Sequence, residues 1–95
     1  MSNVKKLKKE AGNITYEVVS DCFTYLLVNE EKNKEKVLEI ISETINLRNN
    51  IIQRINNSNK DKKPKEIKNY YRDIRKDLSS GMDKAFEKLS KLSKK

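Results

Sequence analysis

The segment Val37–Ile55 constrains the fold of this chain more than any other. Its apolar residues recur at steps of three and four, which is the spacing of a helix face and not the alternation of a strand. The apolar band is wide, so we expect the segment to pack on two neighbours as the central helix of a bundle. Its main stripe is expected at Ile41, Ile45, Ile52 and Ile55, flanked by Ile40, Leu47 and Ile51.

A first helix is predicted over residues 2–29, with fraying at the lysine-rich terminus. Its apolar residues keep one helical phase from Val4 to Tyr25. An alternating strand over residues 14–18 is the alternative, because that stretch is rich in β-branched and aromatic side chains. The unbroken phase favours the helix.

Turn signals place the other two helices at residues 34–56 and 64–93. The connection before the second helix is short, so helices one and two should be antiparallel neighbours. Pro64 suits the first turn of helix three, where its missing N–H costs nothing. Helix three either breaks near Gly81 or continues through it with a bend. We favour continuity, because the apolar phase persists across the glycine.

These features predict an all-α fold, a single domain over residues 1–95 that forms an antiparallel three-helix bundle. In a three-helix bundle each helix needs only one apolar stripe to form the core. The apolar residues beside those stripes would therefore remain exposed to solvent in a monomer. We therefore expect a homodimer that completes a larger bundle through helices one and three. The candidate interface residues are Tyr16, Phe23, Leu27, Tyr70 and Phe86.

Arg48 interrupts the apolar band of helix two. We expect a semi-buried arginine paired with a carboxylate that fixes helix register, because an unpaired buried charge costs several kcal/mol. An anion or partner site in a groove between helices is the alternative. Folding the neighbouring helices back on helix two brings four candidate partners within reach: Glu17, Asp21, Asp73 and Asp77.

The net charge of +8, from 22 basic and 14 acidic residues, is unevenly distributed. Residues 1–12 and 58–69 each carry a net charge of +3, and an antiparallel bundle brings both segments to one end. Solvated lysines at helix ends are the simpler interpretation. The alternative is contact with nucleic-acid phosphates. Such binding would be weak, independent of base sequence and salt-dependent, because no arginine or aromatic residues that could contact bases are interspersed among these lysines. The candidate contacts are Lys5, Lys6, Lys8, Lys9, Lys60, Lys62, Lys63 and Lys65.

Catalysis is not expected. The chain has no histidine, which removes the usual general base and the commonest metal ligand, and Cys22 lies on an apolar stripe as an inert thiol would. We expect no cofactor, no metal, no membrane span and a cytoplasmic setting. The expected function is a small, non-catalytic helical interaction or structural module that self-associates. The alternative is a nucleic-acid-associated accessory protein that contacts the phosphate backbone.

The chain carries three short motifs: Asp21-Cys22-x-x-Tyr25-Leu26, Leu47-Arg48-Asn49 and Tyr71-x-x-Ile74-Arg75-x-Asp77-Leu78. Together they resemble a pattern in small all-helical proteins of the Bacteroidetes. The resemblance implies an α-helical bundle and a bacterial cytoplasmic setting. That family carries no assigned activity, so the resemblance transfers no functional residue.

Overall fold

The computed structural model describes residues 2–29, 32–57 and 63–93. These residues form three helices, α1 (Ser2–Asn29), α2 (Lys34–Asn56) and α3 (Pro64–Ser93), with no strand among them. Each helix contacts the other two, so the predicted all-α three-helix bundle is confirmed. The strand alternative is wrong, since residues 14–18 lie inside α1.

Two ion pairs fix the direction of α2 against α3. Arg54 pairs with Asp77 at 2.7 Å, and Glu43, eleven residues earlier on α2, pairs with Lys88, eleven residues later on α3, at 2.8 Å. The two helices are therefore antiparallel. The bundle is a rod with extents of 50 × 18 × 17 Å, close to the length of its longest helix.

The core runs along the axis of the rod and is almost entirely apolar. Its buried apolar residues are Leu7, Ala11, Val18, Cys22, Tyr25, Val37, Ile40, Ile51, Ile55, Ile74, Leu78, Met82, Ala85 and Leu89. Core positions recur at steps of three and four along each helix. That spacing favours helices that pack nearly parallel or antiparallel, at small crossing angles. Thr15 and Thr44 are also buried, and each hydroxyl donates to the carbonyl four residues earlier at 2.7 Å, so neither is left unpaired.

The buried stripe of α2 is rotated around the helix axis by about one residue, roughly 100°, from the stripe that we expected. It runs through Val37, Ile40, Thr44, Leu47, Ile51 and Ile55. Ile45, which we expected inside, is 41% exposed, and Ile41 and Ile52 are only half-buried. The expected main stripe is therefore wrong at Ile41, Ile45 and Ile52 and right at Ile55, which is buried. Thr44 takes the inward position because its hydroxyl finds a backbone acceptor within the helix.

Helix α3 begins with a side-chain cap. The backbone N–H of Lys63 donates to Oε1 of Glu66 at 3.1 Å, and the N–H of Ile67 donates to the carbonyl of Lys63 at 2.9 Å. Pro64 occupies the first helical position between them, as expected. The acidic Glu66 also complements the positive end of the helix dipole.

Tyrosine hydroxyls tie the helices together at both ends of the rod. Tyr25 donates to the carbonyl of Leu92 at 3.2 Å and accepts from Nδ2 of Asn33 at 2.9 Å, so α1 and α3 run in the same direction. Asn33 has φ 58° and ψ 20°, a left-handed conformation that asparagine tolerates. At the other end Tyr70 donates to the carbonyl of Arg54 at 2.8 Å, which satisfies an acceptor in the last turn of α2.

Helix α3 passes through Gly81 without a break, as the apolar phase predicts, so the alternative of a break is wrong. The glycine does not adopt a positive φ. Its role lies in packing: a Cβ at this position would lie 3.4 Å from Cγ and 3.3 Å from Cδ1 of Leu47, and still closer to Cδ2. The missing side chain therefore lets α3 approach α2 at Leu47.

This close approach predicts different outcomes at the two glycines of the chain. Gly12 is a matched control, because a Cβ there would meet nothing within 4 Å. Gly12→Ala should raise the free energy of unfolding by about 0.5–1 kcal/mol through helix propensity. Gly81→Ala should gain clearly less, and Gly81→Val should lose about 1–3 kcal/mol through overpacking against Leu47. Urea unfolding measures both, and equal gains from the two alanines would contradict the contact.

The Tyr25 hydroxyl predicts a second stability difference. Tyr25→Phe keeps the ring and removes two hydrogen bonds, so it should cost about 1–2 kcal/mol of unfolding free energy. Tyr16→Phe is the control, because Tyr16 is 73% exposed and should change stability by only a few tenths of a kcal/mol. Urea unfolding at one fixed protein concentration compares them, and equal effects would show that the Tyr25 bonds do not hold the helix ends together.

Candidate functional site

Five large apolar side chains remain in solvent on one side of the bundle, and we call them the outer apolar face. Helix α1 contributes Tyr16, Phe23 and Leu27, exposed by 73%, 54% and 83%. Helix α2 contributes Leu38 and Ile45, exposed by 47% and 41%. Exposure of this size at five neighbouring positions is typical of an interaction surface, whereas scattered single residues are not.

The α1 members lie on the side of α1 away from α3. The residues of α1 that line the groove between α1 and α3 include Glu10, Ile14, Glu17, Asp21, Thr24 and Val28. Successive helix residues point about 100° apart, so Tyr16 and Phe23 lie at least about 80° round the helix from these residues, and Leu27 lies at least about 60° from them. They therefore border α2.

The α2 members border α1 in the same way. Arg54, Glu43 and Leu47 mark the side of α2 that meets α3. Leu38 and Ile45 lie on the opposite side by helical spacing, so the two rows of exposed residues flank the line where α1 and α2 meet. The half-buried residues beneath these rows are Leu26, Ile41 and Ile52.

Few charges interrupt the outer apolar face. On α1 the neighbouring positions are the half-buried Ser20 and the exposed Thr24, both uncharged, while Glu17, Asp21 and Thr24 line the α3 groove. The α1 part of the face therefore costs little to desolvate, because no ion loses its water there when a partner covers it; on α2 the exposed Arg48, three residues after Ile45, borders the face.

Arg48 does not occupy the buried position that we expected. It is exposed, and Nη1 donates to Oδ1 of the adjacent Asn49 at 3.1 Å. Among the described residues no ion pair joins it to Glu17, Asp21, Asp73 or Asp77. The expected pairing is wrong: Arg48 lies at the edge of the inward stripe, and its guanidinium reaches solvent and not one of these carboxylates.

Arg54 takes the cross-helix role expected of Arg48. It pairs with Asp77 at 2.7 Å, with side chains exposed by 29% and 55%. The second pair, Lys88 with Glu43, is more exposed, and its hydrogen bond raises the pKa of Lys88. Ion pairs this exposed to solvent contribute at most about 1 kcal/mol each to the free energy of unfolding. They therefore favour one register of α2 against α3 without supplying much of the stability.

Helix α3 does not supply the interface residues that we expected from it. Tyr70 and Phe86 are half-buried and pack against the core. The ring of Tyr70 meets that of Tyr71 edge to face with centroids 6.2 Å apart, and Phe86 lines the α1–α3 groove. The prediction of a wet strip on helices one and three is therefore wrong. Tyr16, Phe23 and Leu27 are exposed as expected, and their neighbours are on α2.

The parallel direction of α1 and α3 brings the starts of both helices to one end of the rod, the lysine-rich end. Lys5, Lys6, Lys9, Lys63 and Lys65 are exposed there, and Lys8 is half-buried. None of the six forms an ion pair within the described part of the chain. Lys60 and Lys62 lie outside the described residues. The positive ends of two helix dipoles add to this charge.

Cys22 is buried and free. Burial raises the pKa of its thiol, and the neighbouring Asp21 carboxylate raises it further. Because the thiolate is the reactive form, the folded chain holds this cysteine in its unreactive state. Among the described residues no cluster of histidine, cysteine or acidic side chains could hold a metal ion, and no helix there is long and apolar enough to cross a membrane.

Comparisons of the chain with protein-family models, with curated proteins and with solved structures find no match in any of the three. The candidate site therefore depends on the geometry of this chain alone.

Sequence reasoning missed the α2 half of the outer apolar face. In the sequence, Leu38 and Ile45 belong to the broad apolar band of α2, in which the isoleucines fit more than one helical phase. The signal that separates the phases is the inward path through Thr44 and Leu47, which leaves Ile45 outside. A threonine can occupy an inward position because its hydroxyl bonds within the helix.

Proposed function

We propose that this chain is a small, non-catalytic helical interaction module that associates with itself through the outer apolar face. The observation that carries the proposal is the exposure of five large apolar side chains side by side on α1 and α2. They leave on the order of 600 Å² of apolar surface in water, at the upper limit for a monomer.

The total surface of the chain supports the proposal. A compact monomer of 11.2 kDa has an accessible surface of about 5,700 Å². This chain has 7083 Å², which reflects its rod shape. Covering the outer apolar face from two sides removes on the order of 1,200 Å² from water, the lower limit for specific interfaces. We therefore expect a dimer that forms in the micromolar range.

The absence of catalysis is part of the proposal. The chain contains no histidine, and its one cysteine is buried with a raised thiol pKa. Neither a general base for neutral pH nor an activated nucleophile is available from these residue types. The free thiol suits a reducing cytoplasm, the setting we propose for this protein.

Self-association is tested at two adjacent apolar residues. Analytical ultracentrifugation across micromolar concentrations should show mass rising from 11.2 kDa toward twice that value. Leu27→Ser should shift the equilibrium to monomer by about 2 kcal/mol, because Leu27 lies on the outer apolar face. Val28→Ser is the matched control: Val28 is 74% exposed but lines the α1–α3 groove, so its loss should leave the dimer intact. A wild-type chain that stays at the monomer mass throughout would end the proposal.

A second candidate function is nucleic-acid association through the lysine-rich end. The specific observation is that its described lysines are solvent-accessible and make no ion pair with the described carboxylates, next to two helix N-termini. Such an arrangement attracts phosphate through charge, without reading base sequence.

Fluorescence anisotropy with two unrelated DNA duplexes tests this candidate. Binding should be weak, equal for both sequences and steeply reduced between about 50 and about 200 mM salt. Lys5→Gln/Lys6→Gln/Lys9→Gln should weaken binding and flatten the salt dependence. The control Lys32→Gln/Lys36→Gln/Lys84→Gln removes the same charge elsewhere and should have a smaller effect. Tight binding to one duplex alone at about 200 mM salt would exclude the candidate.

A further inference from the structure

We propose that the second copy packs antiparallel on the outer apolar face, α1 against α1 and α2 against α2, about a single twofold axis. The axis crosses α1 between Asp21 and Cys22 and crosses α2 between Ile41 and Ser42. This inference rests on the self-association proposed above and specifies its geometry.

The spacing along α1 is self-complementary. The exposed Tyr16, Phe23 and Leu27 and the half-buried Ser20 between them follow steps of four, three and four, which are the same in both directions. When α1 meets a second α1 antiparallel, Tyr16 lies opposite Leu27 of the second copy, and Ser20 lies opposite Phe23. The small serine leaves room for the phenylalanine ring. An isologous interface requires this kind of self-matching surface.

The spacing along α2 repeats the symmetry at the same height. Leu38 and Ile45 lie at equal distances from the point between Ile41 and Ser42, so each faces the other across the axis. That point and the centre of the α1 row each lie about ten residues from the middle of the α1–α2 turn. Both helices rise about 1.5 Å per residue, so the two centres are level and one axis serves both helices.

The charge distribution favours the same arrangement. The second copy overlaps α1 from about residue 12 onward, so the exposed Lys5, Lys6 and Lys9 stay outside the overlap. The two Lys5 residues lie about 50 Å apart, several times the Debye length of about 10 Å at 0.1 M salt. Within the overlap, Lys34 is level with the uncharged Asn49 of the second copy. Arg48, which is also exposed within the overlap, is level with the oppositely charged Glu35 of the second copy.

The competing arrangement has its twofold axis along the rod and packs α1 on α2 of the second copy. This arrangement covers the same residues, but Tyr16 then lies against Ile45 of the second copy, and Leu27 lies against the start of α2 of the second copy. It also places both lysine-rich ends side by side, where two sets of like charges repel. The two arrangements therefore differ in which residue faces Tyr16.

A charge swap on α1 distinguishes them by ultracentrifugation. Tyr16→Lys and Leu27→Glu should each weaken dimerisation at least about thirtyfold, because each buries an unpaired charge at the interface. Tyr16→Lys/Leu27→Glu should return to within about tenfold of the wild type, since each new lysine faces a new glutamate. Tyr16→Lys/Val28→Glu carries the same charges off register and should stay monomeric. A double variant no better than the singles would overturn the antiparallel pairing.

Spin labels provide a second measurement that needs no interface substitution. A label on Asn56→Cys reports the end of α2, and the buried Cys22 stays unlabelled. The antiparallel dimer separates the two labels by about 45 Å, while the competing arrangement holds them within about 25 Å. A dimer with the short distance overturns the pairing and leaves the proposed function standing. A chain that stays monomeric overturns the proposed function itself.

Discussion

The contact between Leu47 and Gly81 sets the phase of α2, and the surface of the bundle follows from that phase. Leu47 lies where a Cβ on Gly81 would fall, so α3 comes close to α2 only with this leucine turned inward. Arg48 lies about 100° from Leu47, at the edge of the inward stripe, and its long side chain extends into solvent. The same rotation buries Ile40 and Ile51 and leaves Ile45 exposed.

The fold was predictable where local signals are unambiguous. Proline at the start of α3 and a short polar turn before α2 mark where these helices begin. The helical spacing of apolar residues on both sides of Gly81 predicts that α3 continues through the glycine. The phase of α2 was not predictable in this way, because isoleucines cover more than one face of that helix. The inward face that results includes Thr44, whose hydroxyl donates to the carbonyl of Ile40, so a polar residue is accommodated in the core.

The candidate site was half predictable for a similar reason. Tyr16, Phe23 and Leu27 fall off the inward stripe of α1 in every reading of its phase, and they are exposed. Tyr70 has the same appearance in sequence, but its hydroxyl meets an α2 carbonyl and its ring meets Tyr71. A tyrosine near a helix end can satisfy a backbone acceptor of the next helix, and that contact depends on tertiary register. Helical periodicity alone carries no information about it.

The two candidate functions use different parts of the rod and different forces. Self-association through the outer apolar face would depend on the hydrophobic effect, which salt does not screen, and phosphate binding at the lysine-rich end would depend on charge, which salt screens strongly. The proposed antiparallel dimer would keep the two compatible, because it covers the half of α1 that has no lysine and places the lysine-rich ends at opposite tips. A chain with a net charge of +8 opposes its own association unless like charges stay several Debye lengths apart. The proposed antiparallel pairing reconciles self-association with cationic tips, because copies that run in opposite directions hold their lysine-rich ends apart.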